Sequence, residues 1–263
     1  MKIARHRPLR DFVETLLYDD QSPRAISGRL TYRQRILPPV SKDSIHRYIK
    51  SPYGRRIEYH RNRMKRRGRR APPRTKPWTD RTFIDQRPAY INTRRRVGDA
   101  EGDFIESGRS GKGRLLVIVD RKIRAVFMEQ LIVLSLPAVT EACLHIKDRY
   151  PEWRSMTTDN DILFQHHKEL EGILGIKIYF CHPYHSWEKG SVENANKYIR
   201  RYLPKGSDIS RYSKRFIRRI AYKLNQRIMA VIHYRTPQEC LKRYRKQKKR
   251  RCASRNKRDR CSD

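Results

Sequence analysis

A basic and proline-rich stretch in the first third of the chain most constrains how it folds. Seven of the ten residues at 61–70 are Arg or Lys, and Pro72, Pro73 and Pro77 follow. Such a stretch supplies too few apolar side chains for a core, and its prolines interrupt regular structure. It predicts folded regions on either side, joined by an extended linker that lies along phosphates or serves as a spacer. The phosphate contacts expected in it are Arg66, Arg67 and Arg69.

The distribution of charge supports this division. The chain has 63 Lys and Arg against 27 Asp and Glu, a formal net charge of +36. Residues 1–98 hold 27 basic and 8 acidic side chains (net +19), residues 99–241 hold 24 and 17 (net +7), and residues 242–263 hold 12 and 2 (net +10). The total predicts a polyanionic partner, and the nearly balanced middle region predicts the globular core.

Composition also excludes several classes of protein. No apolar run approaches the roughly 20 residues of a membrane span, and no apolar segment follows the basic N-terminus as in a signal peptide. Five cysteines, an odd number without tight spacing, argue against a disulfide framework and a zinc knuckle. We therefore expect a soluble cytoplasmic protein, associated with the nucleoid if its polyanion is DNA.

Two short helices are predicted near the N-terminus. Ser22 and Pro23 mark the start of one helix, and Ser41 marks the start of the next. The second helix has a polar and basic free face, as in a helix-turn-helix that reads the major groove; a small helical subdomain with a solvated face is the alternative. The net charge of this region favours DNA binding. The contacts expected on the second helix are Lys42, Ser44 and Arg47.

The middle region alternates between strands and helices. Short runs that contain apolar or β-branched residues predict strands at residues 102–105, 115–119, 125–133, 155–158 and 176–180. Helical spacing predicts helices at residues 137–150, 164–174 and 192–202. Three consecutive strands followed by alternating helices and strands indicate an α/β fold, with a mixed sheet flanked by helices.

Three carboxylates occupy informative places in this order. Asp103 lies on the first strand, Asp159 just after the fourth, and Glu193 in the first turn of the helix after the last. Groups so placed can converge, and two divalent cations would relieve their repulsion and activate a water or a 3′-hydroxyl at a phosphodiester. Most acids at such places are caps or solvated charges, but acids within so basic a chain favour metal binding. The competing acids are Glu101, Asp120, Asp161 and Glu188.

Three segments carry a resemblance to a known family. Residues 98–105, Gly-Asp-Ala-Glu-Gly-Asp-Phe-Ile, look like the Gly-His-Trp-Glu-Gly-Asp-Leu-Ile strand of the IS-thirty family of DDE insertion-sequence transposases. Residues 157–160, Thr-Thr-Asp-Asn, are similar to the second motif of that family. Residues 180–196, which include Trp-Glu-Lys-Gly and then Glu-Asn, resemble its third motif. The 33 residues between Asp159 and Glu193 agree with its spacing, and the likeness extends over about residues 20–241.

The resemblance implies a transposase with a ribonuclease-H-like, five-stranded catalytic core. Asp103, Asp159 and Glu193 would be its catalytic residues and would hold two divalent ions, Mg²⁺ or Mn²⁺. The implied partners are double-stranded DNA, as the terminal inverted repeats of the element and as the target, and a second copy of the chain. The residues on the helix face of Glu193 that would approach DNA are Asn196, Lys197 and Arg200.

Some residues depart from the family pattern. Ala100 stands where the family has Trp, and Asp161 stands where it has Gly, so that Asp161 either disturbs the metal site or points away from it. The chain also begins without the additional helix-turn-helix of longer members. The alternative is therefore a catalytically inactive, truncated, transposase-derived DNA-binding protein or repressor. A basic RNA-associated protein fits the composition but leaves the carboxylates unexplained.

The remaining expectation concerns the C-terminus and the division of the chain. The basic tail begins as a helix after Pro237 and then frays, and it either solubilises the protein or binds phosphates. The expected regions are a helix-turn-helix region at 1–52, a basic linker at 53–97, the catalytic core with C-terminal helices at 98–241, and the tail at 242–263.

Overall fold

The computed structural model describes residues 2–34, 36–63, 81–108, 111–182 and 186–259. The chain forms two compact units, one within residues 1–63 and 225–263 and the other within residues 64–224. The first unit therefore combines segments from both ends of the chain. No helix in the described ranges is long and apolar enough to cross a bilayer.

The second unit contains both strands and helices, whereas the described part of the first unit is helical. The helices in the described residues are α1 (Lys2–Arg5), α2 (Arg7–Tyr18), α3 (Pro23–Tyr32), α4 (Lys42–Lys50), α5 (Arg55–Arg63), α6 (Ala89–Asn92), α7 (Leu136–Arg149), α8 (His167–Leu174), α9 (Gly190–Tyr202), α10 (Lys214–Asn225) and α11 (Pro237–Asp259). The strands are β1 (Asp99–Glu106), β2 (Arg114–Asp120), β3 (Val126–Leu131), β4 (Ser155–Thr158) and β5 (Lys177–Phe180).

Serine caps begin α3 and α4, as the sequence predicts. The Ser22 hydroxyl accepts the backbone N–H of Ala25 at 3.2 Å, and the Ser41 hydroxyl accepts that of Ser44 at 3.1 Å. Each cap satisfies a donor that the first helical turn leaves without a partner. The apolar faces of α2, α3 and α4 then pack into one core. The buried residues of this core include Leu9, Val13, Leu17, Ile26, Leu30, Ile45 and Tyr48.

Residues 53–63 differ from the predicted extended linker. They include α5, whose Ile57 is buried in the same core. The guanidinium of Arg61 donates to the backbone carbonyl of Gln21 at 2.8 Å. The expected boundary at residue 52 thus falls inside a packed unit, because one apolar residue among many charges is enough to hold a short helix in place.

The C-terminal segment also differs from its prediction. α11 is one continuous helix to Asp259 instead of a helix that frays. A capping box begins it, because the Thr236 hydroxyl accepts the N–H of Glu239 at 3.1 Å while the Glu239 carboxylate accepts the N–H of Thr236 at 3.0 Å. Residues from 225 onward belong to the unit of the N-terminal helices, whereas the predicted catalytic core includes them up to residue 241.

A five-stranded mixed sheet forms the centre of the second unit. Its strand order is β3-β2-β1-β4-β5, with β1, β2 and β3 antiparallel and with β4 and β5 parallel to β1. Helix α7 connects β3 to β4, and α8 connects β4 to β5. This is the ribonuclease-H-like α/β arrangement, and it confirms the predicted fold class. The strands lie within a few residues of their predicted bounds.

One face of the sheet buries α9 and α10. Strand residues Ile105, Leu115 and Val117 contribute to this core with residues of both helices. The apolar spacing of α9 turns one face to the sheet and leaves the other for polar residues. The helix residues of this core are Val192, Ala195, Ile199, Ile217, Ile220 and Leu224.

Residues 81–97, the other end of the predicted linker, pack on the sheet. Phe83 forms a bridge with Phe180 of β5, and Ile91 is buried. The guanidinium of Arg87 donates to the Thr157 hydroxyl at 2.8 Å, and burial lowers the pKa of Arg87 to about 10. This segment therefore completes the edge of the sheet and is not a spacer.

Candidate active site

Asp103 and Asp159 come together where β1 and β4 lie side by side. These strands run parallel, with Glu101 opposite Thr157. Moving two residues along each strand places Asp103 beside Asp159 on the same face. The sheet register therefore explains why two carboxylates that are far apart in the sequence lie side by side.

The side chain of Lys189 lies between these carboxylates. Its ammonium nitrogen is 2.9 Å from Oδ1 of Asp103 and 3.0 Å from Oδ2 of Asp159. The Lys189 side chain is only 5% exposed, against 20% for Asp103 and 48% for Asp159. We call Asp103, Asp159 and Lys189 the lysine–aspartate cluster. Sequence reasoning included Lys189 in the third motif but gave it no role.

Burial and charge act together on this cluster. Burial raises the pKa of Asp103 to about 6, because the charged carboxylate loses solvation; the ammonium of Lys189 opposes this rise, and Asp159 adds to it. Burial lowers the pKa of Lys189, but attraction to Asp103 and Asp159 outweighs that effect and raises it above its ordinary value. The lysine is therefore charged at neutral pH.

Two oxygen atoms, one within the cluster and one next to it, accept no hydrogen bond from the described residues. Oδ1 of Asp159 and Oδ1 of Asn196 are buried, and neither accepts a hydrogen bond from the described residues. The amide nitrogen of Asn196 donates to Oδ2 of Asp103 at 2.5 Å. Buried acceptors without a partner are uncommon, and oxygen atoms are the ligands that Mg²⁺ and Mn²⁺ prefer. The cluster thus has the chemistry to bind a cation.

Glu193 is half-buried in the first turn of α9, one helical turn before Asn196. Among the residues that the structure describes, no three His, Cys, Asp or Glu side chains are grouped so that they could hold a metal ion. The structure therefore brings Asp103 and Asp159 together and does not group Glu193 with them. Its role as a metal ligand stays a prediction.

The other predicted DNA contacts of α9 have different surroundings. Lys197 is exposed. Arg200 donates to the backbone carbonyl of Glu106 at 3.0 Å, and burial lowers its pKa. Arg200 thus fixes α9 against the end of β1, next to the strand that carries Asp103.

Glu101 anchors the N-terminus of α9. Its buried carboxylate accepts the backbone N–H groups of Ser191 at 2.7 Å and Val192 at 3.0 Å, and the Arg121 guanidinium donates to it at 3.1 Å. A carboxylate at this end of a helix also complements the helix dipole. Glu101 therefore positions α9 and does not belong to the lysine–aspartate cluster.

The other competing acids also have structural partners. Asp120 accepts the backbone N–H groups of Gly98, Lys122 and Ile123 at 2.9, 2.8 and 2.6 Å. Glu188 accepts the N–H of His182 at 3.1 Å.

Asp161, the residue at the family's Gly position, is held by partners outside the cluster. Its carboxylate binds Arg114 Nη1 through both oxygens at 3.1 and 3.0 Å and caps a short turn by accepting the N–H of Leu163 at 2.9 Å.

The predicted DNA contacts of α4 and of the linker are placed only in part. Lys42 and Arg47 are exposed on α4. The Ser44 hydroxyl lies 3.0 Å from that of Ser41 and accepts from Arg47 at 3.4 Å, so it belongs to the helix cap. The predicted linker contacts lie outside the described residues, and these are Arg66, Arg67 and Arg69.

Relatives of this chain are transposases of insertion sequences. It is 35% identical over 241 residues to the transposase of element IS4351 from Bacteroides fragilis, covering 89% of this chain and 73% of that one. It is 30% identical over 261 residues to transposase InsI of element IS30A from Escherichia coli K12, covering 92% of this chain and 66% of that one. It is 32% identical over 166 residues to the transposase of IS1086 from Cupriavidus metallidurans, covering 62% and 48%.

Solved structures with a similar fold are retroviral integrase cores. The catalytic core domain of BIV integrase is 18% identical, with a TM-score of 0.45, over 57% of this chain and 97% of that one. The catalytic core domain of HTLV-2 integrase in complex with magnesium is 22% identical, with a TM-score of 0.42, over 54% of this chain and 95% of that one. No protein-family model matches the chain.

Proposed function

Because the chain belongs to the IS-thirty family of insertion-sequence transposases, we propose that it binds the terminal inverted repeats of its element and catalyses DNA cleavage and strand transfer. The observation that carries this proposal is the convergence of Asp103 and Asp159 at one end of the sheet. Both residues belong to segments that resemble motifs of the family.

The donor set of the cluster fits divalent ions. Asp103 and Asp159 would hold them with carboxylate oxygens, and Oδ1 of Asp159 lies buried without a donor. Glu193 is the third proposed ligand, from the first turn of α9. Two bound Mg²⁺ or Mn²⁺ ions would activate water, and later a freed 3′-hydroxyl, at the phosphodiester.

The surrounding residues would orient these ligands. The Asn196 amide fixes Oδ2 of Asp103, and a cation would take Oδ1, which faces the ammonium of Lys189 in the structure. Glu101 and Arg200 hold the two ends of the segment of α9 that contains Glu193 and Asn196. Lys197, exposed on that helix, is positioned to contact a DNA phosphate.

The first unit supplies the proposed recognition of the repeats. α4 exposes Lys42 and Arg47, so it is suited to the major groove as the second helix of a helix-turn-helix. Joining two element ends to a target requires at least two copies of the chain. We place this homo-oligomer in the cytoplasm, on the nucleoid, where its double-stranded DNA partners are found.

Cleavage and strand transfer of a labelled repeat-end duplex, with Mn²⁺ or Mg²⁺, test this function. We expect Asp103→Asn, Asp159→Asn and Glu193→Gln each to abolish both steps while repeat binding is retained. Glu141→Gln is the control, because it removes an exposed carboxylate of α7. It should react like the wild type.

Three outcomes decide between the interpretations. Specific binding without metal-dependent cleavage would favour the alternative of an inactive DNA-binding repressor. Wild-type activity in Asp159→Asn would refute the assigned site. Wild-type activity in Glu193→Gln alone would remove that residue from the proposed ligands.

A further inference from the structure

The ammonium of Lys189 occupies the place where a cation would bind both aspartates. It lies within 3.0 Å of one oxygen of each carboxylate and 3.5 Å from the backbone carbonyl oxygen of Gly102. A divalent ion of this type binds carboxylate oxygens at about 2.1 Å. The ammonium and an ion therefore compete for the same space and the same negative charge.

The same contact stabilises the site before an ion arrives. Two adjacent carboxylates repel each other, and one ammonium between them offsets that repulsion. The Asn196 amide adds a neutral donor to Asp103. Asp103 and Asp159 are thus held in place by side chains of the chain itself.

Lys189 is placed so that it can withdraw without disturbing α9. It is the N-cap residue of α9, but its side chain makes no capping hydrogen bond. The following residue, Gly190, has open space around the position of a Cβ atom. The N-terminus of α9 is held instead by Glu101, through Ser191 and Val192. Withdrawal of the ammonium from the two carboxylates would use rotations within the flexible four-carbon side chain.

Building on the proposed metal-dependent function, we propose that Lys189 is an internal competitor of the catalytic cation. It keeps Asp103 and Asp159 in position in the metal-free protein and leaves them when a divalent ion binds. This exchange weakens metal binding by the protein. Lys189 is accordingly a positioning residue and not a metal ligand.

Binding of Mn²⁺ to the full chain without DNA, measured by isothermal titration calorimetry, tests this proposal. Lys189→Gln removes the competing charge, and we expect it to bind Mn²⁺ at least about tenfold more tightly than the wild type. Lys168→Gln is the matched control, because Lys168 is exposed on α8 and its loss changes the net charge equally. It should bind Mn²⁺ like the wild type.

Thermal unfolding supplies a second measurement. Without metal, Lys189→Gln should unfold at a lower temperature than the wild type. Mn²⁺ should raise the unfolding temperature of the variant by more than that of the wild type. If the variant is unfolded without metal, folding on addition of Mn²⁺ supports the proposal, and failure to fold overturns it.

The remaining outcomes separate this proposal from the proposed function. Equal or weaker Mn²⁺ binding by folded Lys189→Gln overturns the competition. If Lys168→Gln binds Mn²⁺ more tightly than the wild type to the same extent, the competition is also overturned, because the lower net charge would then explain the tighter binding. Absence of Mn²⁺ binding in every form of the protein refutes the metal site itself.

Discussion

The guanidinium of Arg29 makes two parallel hydrogen bonds to the carboxylate of Glu239, at 2.9 and 2.5 Å. The two residues are separated by 210 positions, and their pairing joins α3 to the start of α11. Bidentate pairs of this kind combine charge with fixed geometry. The C-terminal helix is thereby attached to the helix that precedes α4.

Glu239→Gln should destabilise the first unit, by about 0.5–1 kcal/mol, since the pair is partly exposed and screened by solvent. The hydrogen bond from Arg29 lowers the pKa of Glu239. The contribution is therefore complete above the unfolded carboxyl pKa of about 4.3 and is lost as the pH falls through the lower folded value. Thermal unfolding followed by far-ultraviolet circular dichroism measures this. The wild type and variant should differ at pH 7 and converge in acid, whereas a difference that persists in acid would contradict the prediction.

Glu101→Gln should disturb α9 and destabilise the second unit, by about 3 kcal/mol, because buried Arg121 loses its charged partner. Cleavage should fall with it, as Glu193 and Asn196 depend on the placement of α9. Glu193→Gln is the comparison, since it removes a carboxylate from the same helix. We expect that variant to lose cleavage and to keep its unfolding free energy. Equal stability of both variants would remove the anchoring role from Glu101.

Asp161→Gly tests whether the acid at the family's Gly position harms activity. Because its carboxylate binds Arg114 and caps a turn, we expect the substitution to destabilise the protein, by about 1–2 kcal/mol, without increasing cleavage. Asp161→Asn keeps the cap of the turn and should therefore lose less stability. Urea denaturation and the cleavage assay measure both effects. A clear gain of activity in Asp161→Gly would instead indicate that Asp161 disturbs the metal site.

Local sequence patterns were sufficient to predict the sheet. β4, at Ser155–Thr158, has its predicted ends, and β1, β2, β3 and β5 lie within a few residues of theirs. Residues 115–119 of β2 form a continuous apolar run, as expected of a strand buried on both faces, and such a run is visible without knowledge of its partners. The convergence of Asp103 and Asp159 follows once β1 and β4 are parallel neighbours, because their register places Asp103 beside the residue after β4.

Contacts between distant residues could not be predicted in this way. Lys189 lies 86 positions from Asp103, and a lysine before a helix is usually a solvated charge, so nothing local indicates that it is buried. The helix α5 was hidden by basic composition, since Ile57 is its single aliphatic residue among charges, and the apolar residues of 81–97, such as Phe83 and Ile91, follow no regular spacing. The continuity of α11 is locally ambiguous, because its Lys, Arg and Gln residues favour helix while repulsion between like charges opposes it.

The length and charge of α11 predict a phosphate-binding surface. It spans 23 residues, and from Lys242 to Arg258 it contains 11 basic residues and no acidic one. Pairs such as Lys242 with Lys246 are four residues apart and repel each other, and a polyanion relieves that repulsion. α11 therefore gains from contact with a DNA backbone.

Changing the exposed residues Lys246, Lys248, Lys249 and Arg251 together to Gln should weaken binding to random-sequence duplex DNA. The slope of log affinity against log salt should become shallower by up to about 3–4, because each lost phosphate contact contributes roughly 0.9. The matched control removes four exposed basic residues of α10, namely Lys214, Arg215, Arg218 and Arg219. This control should keep the wild-type slope, and an equal change in both variants would mean that only total charge matters. Circular dichroism should show undiminished helix content in the α11 variant, because Gln removes the repulsion and favours helix as strongly as Lys.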